Sequence, residues 1–328
     1  MTPRRAFLGA LPLLAAPALS RAEEPRPVRV VVPFPAGGGV DVFARPFAAA
    51  LSGTLRRPVV VENLPGASSR LGTAAVLRAP ADGRTILVTN DSLAAIEALP
   101  PVGAVPGGPA FVAGLAPVIL GISAPQVVVT HPRSGIADAA ALAERLRSSR
   151  PPTLGIPGIG SSQHFAAASF VGAATRETGG GAEYVPYRGG NEVIAALLSG
   201  TIESAVIMLG MVAEHVRSGR LRGLALMAAE RHPLAPVIPT AHETVAPGVE
   251  ETTWVGVLAP SGVPAATIAA LHAASAEALR DPVPRERFAA IGYDVVGAGP
   301  DAFAATIADT VRRYAVAARA ANIRPDAA

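Results

Sequence analysis

Short runs of β-branched and other apolar residues recur along the chain, separated by stretches whose apolar positions repeat with helical spacing. The runs at 28–33, 59–62, 85–89, 126–130, 153–156, 183–186, 205–208, 221–227, 253–258 and 293–296 read as strands. Several are apolar almost throughout, such as Val28-Arg29-Val30-Val31-Val32 and Val127-Val128-Val129. Runs of that kind suit parallel strands covered on both faces. Between them, Phe303, Ile307, Val311, Tyr314 and Ala318 mark one face of a helix, and Ile268, Leu271, Ser275 and Leu279 mark another. Segments 138–146 and 192–198 predict two shorter helices. Strand and helix in alternation predict an α/β fold with parallel sheets.

Two glycine-rich loops interrupt this pattern where strands lead into helices. Pro33-Phe34-Pro35-Ala36-Gly37-Gly38-Gly39-Val40-Asp41 follows the first strand and opens a helix carrying Phe43, Phe47 and Leu51. Glycines let the backbone turn sharply and approach a ligand, and the helix start adds unpaired amides and a partial positive charge. Such a place suits an anion. Gly155-Ile156-Pro157-Gly158-Ile159-Gly160-Ser161-Ser162-Gln163-His164 repeats the design mid-chain, with Ser161 or Ser162 as the N-cap. Taken singly, either loop is an ordinary strand-to-helix turn; as a pair, they are able to hold a carboxylate from two sides. Asp41 complements its helix dipole and reads as structural. Pro46 should kink that helix or mark a late start.

Composition removes several alternatives. The 328 residues include no cysteine, which excludes disulfides, thiolate metal sites and a cysteine nucleophile. All basic residues are arginine, so the lysine of a phosphate-binding G-x-x-x-x-G-K loop has no candidate, and Gly158-Ile159-Gly160 lacks the third glycine of a dinucleotide fingerprint. No cofactor is expected. The six histidines show no metal spacing, and no metal site is predicted. A serine hydrolase of α/β fold, the competing class, would need G-x-S-x-G, and Gly121-Ile122-Ser123-Ala124-Pro125 fails at the last position. A cytoplasmic ligand sensor would carry a DNA-binding helix-turn-helix in place of the first segment.

That first segment sets the compartment. Arg4-Arg5 precedes an apolar stretch, 6–19, broken by Pro12 and Pro17, and small residues lead to Ala22. This is a cleavable export signal, too short to span a bilayer. Arg4-Arg5-Ala6-Phe7-Leu8 fits the twin-arginine consensus, and a general secretory signal has a similar basic start. Cleavage near Ala22 delivers a soluble protein to the periplasm. With the signal's three arginines gone, basic and acidic residues balance, so no nucleic-acid partner is indicated. The ~300 residues that follow are enough for two domains, here expected to act as a monomer.

Taken in order, these segments resemble the Bug-type receptors, the substrate-binding proteins of tripartite tricarboxylate transporters. The resemblance is carried by 33–38 with Asp41 and Arg45, by Val59-Val60-Val61-Glu62-Asn63-Leu64-Pro65-Gly66-Ala67, and by Ala81-Asp82-Gly83. It continues through 158–164, Val185-Pro186-Tyr187-Arg188-Gly189, Gly219-Arg220-Leu221-Arg222, Pro239-Thr240 with Glu243, and 254–260. It implies a two-domain Venus-flytrap of the type II periplasmic-binding-protein fold. Residues 23–124 and 256–328 would form domain I and 125–255 domain II, hinged near Pro125 and Trp254. It implies a small carboxylate ligand held by Phe34, Pro35, Ala36, Gly37 and Gly38 from one side, and by Ser161, Ser162, Gln163 and His164 from the other. Tyr187 and Ile207 would add contacts, and membrane permease subunits or a signalling protein would be partners. The chain departs from similar receptors in Gly39-Val40 for Ser-Thr, Ile207-Met208 for Asp-Asn, Arg70 for Asn, and the loop around Pro106–Pro109. These changes make the pocket less polar and favour an aromatic or aliphatic monocarboxylate over a citrate-like ligand. Arg70 is either a counter-charge in the cleft or a solvated surface residue, and Trp254 reads as core.

Overall fold

The computed structural model describes residues 26–99 and 111–324. The export segment, its cleavage site and the loop around Pro106–Pro109 lie outside the described residues. All ten sequence-read strands are present, but the sheets are mixed rather than parallel. β1 (Val28–Val32) pairs in parallel with β2 (Val59–Asn63) and β3 (Thr85–Asn90). β5 (Thr153–Ile156) likewise pairs in parallel with β6 (Glu183–Pro186) and β7 (Ser204–Met208). The antiparallel members are β4 (Leu115–Thr130), β8 (Arg222–Met227), β9 (Thr252–Pro260) and β10 (Asp294–Ala298).

The reason is β4. Its 16 residues pass from one sheet into the other. The first part pairs with β9 and β10, the second with β7 and β8. Val127-Val128-Val129 is therefore buried on both faces, as its composition demands, yet runs against its neighbours. Register shifts at Pro117/Ile119 and Leu120/Ile122 bend the strand on its way across. At Gly121 a Cβ would stand 2.6 Å from Phe43 Cζ, so only glycine lets that ring close on the sheet.

Helices cover both faces of both sheets. α1 (Gly39–Leu55), α8 (Ala265–Arg280) and α9 (Pro282–Ala290) bury Phe43, Phe47, Leu271 and Phe288 on the first sheet. α2 (Arg70–Leu77), α3 (Ser92–Ala98) and α10 (Pro300–Ala320) cover its reverse, where Leu93, Phe303, Tyr314 and Trp254 form the core. Around the second sheet lie α4 (Ala139–Arg147) and α5 (Ser162–Ala174) on one side, and α6 (Gly190–Ser199) and α7 (Leu209–Arg217) on the other. Phe165 of α5 stacks on Tyr314 of α10, with ring centroids 4.2 Å apart and planes 4° from parallel, which joins the two halves behind the cleft. α1 does not start late at Pro46. It begins seven residues earlier and keeps Pro46 inside, because Phe43, Phe47 and Leu51 on its buried face hold both sides of the proline in place.

Candidate functional site

The β1–α1 loop is set by Asp41. Its buried carboxylate accepts from the Gly37 amide at 2.8 Å, Arg45 Nε at 2.8 Å and Asn63 Nδ2 at 2.9 Å. Asn63 Nδ2 also reaches the Phe34 carbonyl at 3.1 Å, and Gly37 sits at φ 75°. Burial alone would raise the Asp41 pKa, but these donors outweigh it and hold it below the ordinary carboxylate range. The loop is thus pinned from beneath, and its outer face is free for a ligand.

On the other side Ser161 caps α5, its Oγ accepting the His164 amide at 3.2 Å. His164 turns inward. Its Nδ1 accepts from the Gly160 amide at 3.1 Å and its ring meets Tyr184 edge-on at 4.7 Å. Burial pushes its pKa down to about 4, so the ring is neutral, and pushes Tyr184 up to about 12.

Between the loops lies a cavity of about 210 Å³. Three helix starts line it: Gly38, Gly39 and Val40 at α1, Ser161 and Gln163 at α5, and Gly190 and Asn191 at α6. Among the described residues, no protein acceptor meets the amides of Gly39, Val40, Gln163, Gly190 or Asn191. Phe34, Ile207, Met208 and Met211 supply an apolar wall, and Asn90 and Ser92 a polar corner. Met208 occupies the room a side chain at residue 39 would need, since a Cβ on Gly39 would lie 2.6 Å from Met208 Sδ. The one acid at the wall, Glu192, is exposed and accepts the Arg188 amide at 3.2 Å.

A second chamber of about 380 Å³ adjoins the first across Phe34, Pro35, Ser92 and Ser161. Ser68, Ser69 and Tyr187 line it. Ala67, Ser68 and Ser69 adopt left-handed φ of 47°, 51° and 76°, a strained run for non-glycine residues. The Ser69 hydroxyl is buried without a partner. Two hydrogen bonds cross the mouth: Ser68 Oγ donates to the Ile159 carbonyl at 3.1 Å, and Asn191 Nδ2 to the Ala36 carbonyl at 3.5 Å.

The structure therefore brings Phe34, Pro35, Gly38, Ser161, Gln163, Tyr187 and Ile207 to these chambers. Ala36 and Gly37 shape the loop, and Ser162 and His164 lie in the buried first turn of α5; none of the four lines a chamber. Sequence reasoning missed Asn90, Ser92, Met211 and the α6 start. The polar triplet Asn90-Asp91-Ser92 at the carboxyl end of a parallel strand was the available signal, because ligands gather at such ends. Arg70 is half-buried, and desolvation lowers its pKa. Trp254 is core, its Nε1 donating to Thr310 Oγ1 at 3.1 Å. Ser123 lies inside β4, away from any strand-to-helix turn of the kind a hydrolase nucleophile occupies.

Comparison with known proteins agrees with this architecture. Residues 43–323 match the family described as tripartite tricarboxylate transporter family receptor. BugT of Bordetella pertussis is 33% identical over 304 residues, covering 92% of this chain and 91% of BugT. The structure of the periplasmic binding protein BugD superposes with a TM-score of 0.82 at 28% identity, covering 91% of this chain and 98% of BugD. That of R. palustris Rpa4515 with adipate gives a TM-score of 0.82 at 27% identity, covering 92% and 99%. The chain belongs to the TctC (Bug) family of tripartite tricarboxylate transporter receptors, a family of periplasmic solute-binding proteins rather than enzymes.

Proposed function

We propose that this chain is an exported receptor that captures a small carboxylate with an apolar, aromatic or aliphatic body and delivers it to membrane permease subunits. The observation that carries the reading is the convergence of three helix starts, with unpaired amides, on one cavity whose far wall is Ile207, Met208 and Met211. An anion gains from such amides and dipoles, while a ligand body gains about 25 cal/mol for each Å² of apolar surface removed from water. A citrate-like ligand would set a carboxylate against the wall of Ile207, Met208 and Met211, which is unfavourable.

In this reading, residues 23–124 with 256–328 move against residues 125–255 about the β4 and β9 crossings. The bonds from Ser68 to Ile159 and from Asn191 to Ala36 belong to the closed form. Ligand contacts available only when the cleft is shut favour closure. The leader ending near Ala22 directs the protein to the periplasm, where it meets the permease. Phe34, Pro35, Gly38, Ser161, Gln163, Tyr187 and Ile207 are the contacts assigned to the ligand.

A thermal-shift screen with benzoate, hexanoate, adipate, malate and citrate, and with sugars as controls, tests this. A ligand at a hundredfold excess over Kd adds about 2.7 kcal/mol of stability. Benzoate, hexanoate or adipate should raise the midpoint more than citrate does. A response to sugars alone, or to citrate above the others, would refute the reading.

A further inference from the structure

Asp91 is 1% exposed and stands at the N-cap of α3, where an aspartate ordinarily accepts an amide of its own helix. It makes no such bond. Its Oδ1 accepts from Thr253 Oγ1 and its Oδ2 from the Tyr314 hydroxyl at 2.8 Å, while the nearby Ser162 hydroxyl donates to Gln163 Oε1 at 3.1 Å. The two donors to Asp91 come from β9 and α10, so one carboxylate joins the crossing strand and the rear helix. Its chain neighbours face the ligand cavity. Asn90 Oδ1 holds the Ser92 amide at 3.1 Å, and Ser92 Oγ holds the Ser162 amide at 3.4 Å. Gln163, whose Oε1 accepts the Ser162 hydroxyl, lines the cavity.

We infer that Asp91 is a positioning residue for ligand capture. Ionised, it fixes the Asn90–Ser92 corner and the first turn of α5 so that the amide groups of Asn90 and Gln163 face the ligand. The inference rests on the carboxylate-receptor reading above. An ionised carboxylate only accepts, so two hydroxyls can donate to it at once. Once protonated it must donate, and one hydroxyl loses its acceptor. Thr253 or Tyr314 is the one released, and the Asn90–Ser92 corner, through which Ser92 Oγ holds the start of α5, loses part of its anchor.

The surrounding charges place this change in an accessible range. Burial pushes the Asp91 carboxyl up to about 6, the hydroxyls around it oppose that rise, and Glu251 ahead of β9 adds to it. On α10, Arg313 is engaged by Glu251 at 3.3 Å and Asp309 at 3.2 Å, and Tyr314 is held un-ionised. On α5 the nearest titratable group, His164, is neutral. On α3 itself Glu97 binds the Val112 amide at 3.2 Å. Because the folded pKa lies above the ordinary 3.8, Asp91's contribution to stability is complete below about pH 4 and is lost as pH rises through about 6. A merely structural role therefore gives no reason for ligand affinity to weaken on acidification.

Two readouts decide the matter. Trp254, the only tryptophan, follows Thr253 directly, so its emission in ligand-free protein should show a transition near pH 6 that Asp91→Asn abolishes. Thr253→Val, which removes one donor to the ionised form, should move that midpoint upward. Calorimetric titration of benzoate and adipate should show affinity falling about fivefold, the worth of one hydrogen bond, between pH 7.5 and 5.5. Asp91→Asn should bind weakly at both pH values while keeping its thermal midpoint at pH 7.5. Binding by Asp91→Asn as tight as the parent at pH 7.5, or the same fall with pH in the variant, would overturn the inference. A Trp254 transition abolished by Asp91→Asn, with neither acid bound by any form, would support the latch and place the fault in the carboxylate reading instead.

Discussion

Adding one methyl group at Gly39 tests whether the apolar wall is as tight as the geometry says. An alanine Cβ there would meet Met208 Sδ at 2.6 Å and the Tyr293 hydroxyl at 3.0 Å. Tyr293 is 2% exposed and donates to the Gly39 carbonyl at 3.1 Å, so the flexible thioether must yield. The adjoining space it can enter is the cavity of about 210 Å³. Overpacking costs about 1–3 kcal/mol, and alanine's helix preference returns up to ~1 kcal/mol, so Gly39→Ala should destabilise by about 1 kcal/mol. Met208→Ala should cost about 2 kcal/mol, the low end for a core methionine, because one side of Met208 already faces the cavity. In the double variant the new methyl fills vacated room and the overpacking term disappears. A coupling of about 1–2 kcal/mol is expected in urea unfolding followed by Trp254 emission. Calorimetric titration with benzoate should show at least tenfold weaker binding for Gly39→Ala, recovered in part by the double variant. Additivity of the two changes within ~0.5 kcal/mol would refute the claim that they share one space.

Other consequences are as direct. Ser69→Gly relieves a φ of 76° and removes a buried hydroxyl without a partner, and should raise stability by about 1 kcal/mol in thermal unfolding. Asp41→Asn removes the charge that Arg45, Gly37 and Asn63 converge on; a loss of about 2 kcal/mol, with weaker ligand binding, is expected in the same assays. His164 is neutral when folded, with its pKa lowered from 6.5 to about 4, so its contribution is complete above pH 6.5 and declines as pH falls toward 4. His164→Gln should therefore gain urea stability relative to the parent as pH falls from 6.5 toward 4, and a pH-independent difference would show that this acid sensitivity arises elsewhere.

What could be read in the sequence, and what could not, divides along the physics. Val28–Val32 and Val127-Val128-Val129 announce burial on both faces, and both are buried, but burial carries no information about strand direction. β4 runs antiparallel because it links the two sheets, a property of the whole chain path rather than of three valines. Its first half escaped notice because Pro117, Gly121 and Pro125 look like strand breakers. Gly121 instead makes room for Phe43, and the bend at Pro117 carries the strand toward the second sheet. Helix periodicity through Phe303, Ile307 and Tyr314 was legible because one helix face meets one core.

The site divides in the same way. The two glycine loops could be read from sequence because unpaired amides at helix starts follow from local chain geometry alone. The α6 start could not, and the Asn90–Ser92 corner left only its strand-end polar triplet as a signal, since both owe their place in the cavity to the fold of distant segments. Asp91 shows why. As one residue ahead of a short helix it reads as a cap, and its chain neighbours alone would not suggest otherwise. Its partners are 162 and 223 positions away, at Thr253 and Tyr314. A carboxylate that gives up its local cap to bind two remote hydroxyls has had its role set by the tertiary structure, and the Asp91→Asn titration addresses that role.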